Sequence, residues 1–211
     1  MSDTRNQTIN YLRLNTQALH RQLDQSPSIQ KMLAGKLTLD EYRQTLLCFY
    51  QVYQIIEPLL LAFEQQAFEQ QAFEPQVSKY TGPRYRPRLP ALQKELQQLQ
   101  LNQQAQDRVE PSLGLYKIES LAAYLGARYV LDGSCHGAKW LLPRLQQGLN
   151  SALSEWDYWQ LLASIHPDWA SICRAIDVYD NASRAQDVLM TTAQGTFRLF
   201  IQQLQQLSEV A

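Results

Sequence analysis

Histidine and cysteine are scarce in this chain: three of each among 211 residues. Cys48, Cys135 and Cys173 are scattered and form no Cys-x-x-Cys pair. A disulfide framework and a structural zinc site are therefore not expected, and a reduced, cytoplasmic setting is. There is no His-Glu-x-x-His, no nucleophile elbow and no glycine loop to cradle phosphate. No Glu-x-x-His pair exists to build a di-iron bundle. Net charge is only -1, with a pI near 6.3, and no basic run marks a nucleic-acid partner. The opening MSDTRNQTIN lacks the apolar segment of a signal peptide. No uninterrupted apolar run approaches the roughly 18 residues of a membrane span.

What is present is helical periodicity. The length suits one domain, residues 1–211, able to bury about 70% of its unfolded surface without staples. A first helix is expected after Asp3 or Thr4, either of which can cap it. Ile9, Leu12, Leu19 and Leu23 form its core stripe, with Arg13, Gln17, His20 and Asp24 in a row beside it. Pro27 ends it, and a short turn of helix follows to Ala34 before Gly35. Thr38 and Glu41 form a capping box for a helix that Pro58 is expected to kink. A five-residue repeat then starts at Phe63, Phe68 and Phe73; successive phenylalanines turn by about 140°, so they cannot all face one core. It reads as a duplication that lengthens a helix end.

Pro75 to Pro90 reads as an irregular loop whose arginines, Arg84, Arg86 and Arg88, are expected to be solvated. A helix runs from Leu89 to about Gln104. His166-Pro167 is expected to break the chain, and the last helical stretch to be one long helix or a pair split near Asn181. No strand pair or hairpin turn is expected. The fold class is all-α, a single-domain multi-helix bundle.

Tyr124–Leu142 is the most informative stretch. It looks helical yet holds Gly126, Gly133 and Gly137. Gly133 and Gly137, at i and i+4, share a helix face and leave a bare strip of backbone. Either another helix crosses closely there or the helix bends, or something flat lies against it. His20 on its helix edge is either structural or a ligand. A histidine ligand facing a helix opened for a flat ring is how a bundle would hold haem.

The residues then show a family resemblance. Leu12-Arg13-x5-Leu19-His20 resembles the proximal-helix motif of haem oxygenases. Leu125-Gly126-Ala127-x-Tyr129-Val130-Leu131-Asp132-Gly133-Ser134-x-x-Gly137-Ala138 resembles their distal helix in its bacterial form. Leu89-Pro90-Ala91-Leu92 with Glu95-Leu96, and Thr196-Phe197, match further segments in the same order. The resemblance implies haem (iron-protoporphyrin IX) sandwiched between an N-terminal proximal helix and a glycine-containing distal helix. Haem would be both cofactor and substrate, opened with dioxygen to biliverdin with release of iron and carbon monoxide. Electrons would come from a partner such as a ferredoxin or flavin reductase.

By the same resemblance His20 is the iron ligand, and Asp24 bonds its other ring nitrogen. Gly133 and Gly137 let oxygen tilt toward the ring edge, and Ser134 helps order a distal water. Ala138 belongs to the haem-contacting strip. Tyr53 either reaches that water or is an ordinary core tyrosine. Arg13 and Arg198 either hold the haem propionates or are solvated. Gln17 and Gln194 stand where some relatives carry lysine, which puts the seating of the ring and the choice of meso carbon in question. Cys135-His136 also departs from the pattern; His136 is expected to point away from the pocket, while an inward ring would block oxygen and favour haem binding without turnover. A haem-free relative acting on thiamin-like substrates is disfavoured by the retained His20 and distal glycines.

Overall fold

The computed structural model describes residues 7–69, 80, 82–100, 116–149, 153–180 and 185–210, and among them there is no strand. The eight α-helices are α1 (Gln7–Asp24), α2 (Pro27–Leu33), α3 (Leu39–Glu64), α4 (Leu89–Gln98), α5 (Leu121–Gly133), α6 (Cys135–Leu149), α7 (Asp157–Asp180) and α8 (Ala185–Val210). The expected start at Asp3 or Thr4 lies outside the described residues.

Local signals set the helix ends. Ser26 takes the N-cap position with Pro27 in the first turn of α2, where a missing N–H costs nothing. Gly35 follows with φ +63°, the left-handed conformation glycine adopts freely. Thr38 Oγ1 accepts from the Glu41 amide at 3.2 Å and Glu41 Oε2 accepts from the Thr38 amide at 2.9 Å, the reciprocal capping box. Ser120 caps α5 by accepting from the Ala123 amide at 3.2 Å.

α8 is the hub: it packs against α5, α1 and α3, and α5 also lies on α7. Leu12, Leu46, Ile56, Leu125, Leu189 and Ala193 are fully buried in the shared core. α3 with its extension, Leu39–Ala67, is long and apolar enough to cross a membrane by composition, but 56% of its most apolar window is buried in the fold. Its apolarity is that of a core helix.

Three sequence expectations change. His166-Pro167 does not break the chain; α7 runs through Pro167 without interruption. One missing hydrogen bond is outweighed by packing on both sides, where Ile165 and Ile172 are buried. The helix from Leu89 ends at Gln98, short of Gln104. The phenylalanine repeat does continue α3, which holds Phe63 and Glu64, but through a π-helical turn over Gln65–Glu69 that reaches into the second unit, while Phe63 stacks on Tyr124 with ring centres 5.1 Å apart. Phe73 lies outside the described residues, as does Asn181 between α7 and α8.

One buried acid makes the core pH-sensitive. Glu95 of α4 is fully buried; it accepts from the Tyr42 hydroxyl and from the Tyr158 amide at 2.9 Å. Burial raises its carboxyl to about 7, against the lowering effect of both bonds. A carboxylate raised above its unfolded value contributes most below pH 4.5, and that contribution falls away as pH rises to 7. The loss amounts to about 3 kcal/mol. Glu95→Gln removes it, so the wild-type-minus-variant difference in urea midpoint should drop between pH 4.5 and 8. A pH-independent difference would refute the assignment.

Candidate functional site

α1 places His20 and Asp24 one turn apart on the same face, and the two side chains meet. His20 Nδ1 lies 2.8 Å from Asp24 Oδ2. Their side chains are 61% and 46% exposed. A carboxylate on Nδ1 keeps the proton of the neutral ring there and leaves Nε2 as the lone-pair nitrogen. Phe197 of α8 stands edge-on to the imidazole, ring centres 5.8 Å apart. The Thr196–Phe197 segment is thereby brought beside His20.

The distal residues lie where α5 meets α6. Ser134 joins the two helices with helical dihedrals, φ -60° and ψ -18°. Its hydroxyl donates to the Leu131 carbonyl at 2.6 Å, which uses its one proton and leaves its lone pairs. A Cβ on Gly133 would lie 3.4 Å from the Trp169 ring of α7, whereas one on Gly137 would meet nothing nearer than Leu141 Cδ1 at 4.0 Å. Gly137 is exposed and Ala138 fully buried. Gly126 differs: its Cβ would sit 2.4 Å from the Leu189 carbonyl oxygen of α8. The close helix crossing thus belongs to Gly126, and the open strip to Gly137.

The two groups are tied together at one point. Tyr129, one turn before Gly133, bonds Thr16, one turn before His20; burial raises its phenol, and that bond and the charge of Arg13 oppose the rise. Arg13 and Arg198 are both exposed. Arg198 donates to Gln194 Oε1 at 3.2 Å, and Gln194 Nε2 donates to the Asn15 carbonyl at 3.2 Å, so Arg198 is anchored toward α1. His136 turns its ring onto α7, 5.0 Å from His166 and 5.7 Å from Trp169.

Behind the distal joint lies a buried ionic network, only part of it legible in the sequence. Asp132 is 1% exposed. It receives Arg88 Nη2 on Oδ1 and Arg128 Nε on Oδ2, each at 2.5 Å. Arg128 also donates to the Tyr124 hydroxyl and to the Pro83 carbonyl at 3.1 Å. The Arg88 guanidinium lies 4.4 Å from the centre of the Tyr85 ring and 5.9 Å from that of Tyr53. Tyr53 is 1% exposed, its hydroxyl 3.4 Å from that of Tyr158; it is a core tyrosine that borders this network. Arg88 is fully buried, contrary to the expectation of a solvated loop arginine, while Arg84 and Arg86 are exposed. Its burial follows from its partner, since no charge enters a core unpaired. Arg88 Nε and Nη1 have no hydrogen-bond partner. A signal for Arg128–Asp132 existed: opposite charges at i,i+4 inside an apolar run. Arg88 offered none.

The chain matches the family model described as "Heme oxygenase" over residues 6–206. Among solved structures it is similar to heme oxygenase-1 from the cyanobacterium Synechocystis sp. PCC6803 in complex with heme, at 16% identity and TM-score 0.64, covering 95% of this chain and 91% of that one. It is similar also to a heme oxygenase from Leptospira interrogans, at 17% identity and TM-score 0.68, covering 93% and 98%. At these identities the likeness is one of fold. No curated protein sequence matches the chain.

Proposed function

Because this chain belongs to the haem oxygenase family, we propose that it opens the haem ring to biliverdin, releasing iron and carbon monoxide. Dioxygen is the oxidant, and electrons come from a separate donor such as a ferredoxin or flavin reductase. The observation that carries the reading is the 2.8 Å contact between His20 Nδ1 and Asp24 Oδ2. It orients the imidazole and, in the neutral ring, holds the proton on Nδ1, so that Nε2 is the nitrogen that faces iron.

The residues fit haem in other respects. Phe197 stands against the ligand ring, and Gly137 offers bare backbone with open space beyond. Haem, as substrate, supplies the redox-active iron. His20 binds it, and Asp24 holds the tautomer. Gly133 and Gly137 keep the distal backbone low enough for oxygen to lean toward the ring edge. The lone pairs of Ser134 accept from a distal water. Ala138 and Tyr53 support that wall from the core, and Arg13 and Arg198 take the propionates.

Titration with hemin, followed by ascorbate in air with catalase present, tests this. A one-to-one Soret band is expected, lost in His20→Ala, and decaying in the wild type into broad red bilin absorption. A Soret band that persists in air would replace turnover with haem binding alone. No Soret complex at all would overturn both.

A further inference from the structure

We propose that His136 and His166 form a two-histidine site for a first-row divalent transition ion, on the α6–α7 flank of the distal glycines. The two imidazoles come from different helices and stand 5.0 Å apart between ring centres, nearly perpendicular at 85°. Metal–nitrogen bonds of about 2.0–2.1 Å at tetrahedral or octahedral angles place two ring centres about 4.5–5.2 Å apart. The observed separation falls in that range, so the two ring centres already stand at the spacing of imidazoles that share one ion.

His136 is exposed and His166 half-buried, so an ion reaches them from solvent. Burial, His166 and Lys139 all lower the pKa of His136, which keeps it in its neutral, ligating form at neutral pH. Among the described residues no third His, Cys, Asp or Glu completes a cluster, and water fills the remaining positions. Such a site exchanges its ion readily. Trp169 links it to the distal wall: its ring lies 5.7 Å from that of His136 and 3.4 Å from the position of a Cβ on Gly133. The ion comes either from solution or from iron released at the haem site. The second source rests on the haem oxygenase reading; the site itself does not.

The test titrates the full chain, without haem, with Cu²⁺, Ni²⁺ and Zn²⁺ by calorimetry and by tryptophan emission. Copper should bind tightest and ferrous iron more weakly than all three, and copper should quench Trp169 because that ring packs on His136. His136→Gln and His166→Gln should each weaken binding at least tenfold and remove the quench. Retention of both affinity and quench in either variant would overturn the site and leave two rings in ordinary edge-to-face packing. A second arm follows Fe²⁺ with a ferrous chelator during haem turnover. Release altered in both variants assigns the ion to iron from the ring; release unchanged assigns it to ions from solution. If haem is not turned over, the first arm still decides the site.

Discussion

Replacing Asp132 by alanine should lower the unfolding free energy by about 3–5 kcal/mol, because two buried guanidinium groups lose the carboxylate between them. Domains of this kind have only about 5–15 kcal/mol in total, so the variant should unfold at a far lower urea midpoint. Arg88 and Arg128 are 0% and 2% exposed, and neither can turn to solvent without dragging its helix or loop. Arg88→Met is expected to lose less than half as much. It leaves Arg128 on Asp132 and removes the two guanidinium nitrogens that have no partner. If Asp132→Ala cost under 1 kcal/mol, the network would not be holding the α4 entry against α5.

The second large effect concerns glycines that look alike in sequence. Gly126→Ala puts a methyl 2.4 Å from a backbone carbonyl oxygen of α8 and 3.1 Å from Thr192 Cβ. Backbone cannot step aside as a flexible side chain can, so α5 and α8 must separate. The overpacking, about 1–3 kcal/mol or more, should exceed the roughly 1 kcal/mol that alanine gains in helix propensity. Gly137→Ala meets nothing closer than 4.0 Å and should leave the haem-free chain as stable or up to about 1 kcal/mol more so. Thermal and urea unfolding midpoints should therefore fall for Gly126→Ala and hold or rise for Gly137→Ala. On the proposed reading, Gly137→Ala should show its harm in the hemin and ascorbate assay, because the added methyl would stand on the oxygen side of the ring. Equal destabilisation by both substitutions would contradict the distinction between a crossing glycine and an open one.

Several features needed only neighbours in the chain, and these were legible. The capping box at Thr38 and Glu41, the end of α1 before Pro27 and the end of the short helix before Gly35 depend on residues within one turn. The contact of His20 with Asp24 also joins residues one turn apart, though it was the family resemblance that pointed to it. The all-α class follows from apolar spacing sustained along most of the chain.

Other features depended on what packs from far away. Arg88 reads as one more loop arginine until Asp132, 44 positions on, meets it in the core. Pro167 looks like a break until its helix is found buried on both sides of it. Gly126, Gly133 and Gly137 carry the same absent side chain, yet one lies on a backbone carbonyl, one against an indole and one in the open. Local sequence determined the helices and most of their ends, because hydrogen bonds within a turn are enough to form them. Tertiary structure alone decided which charges are buried, which glycine is a crossing and which histidines meet, because each answer rests on a partner that no local pattern specifies.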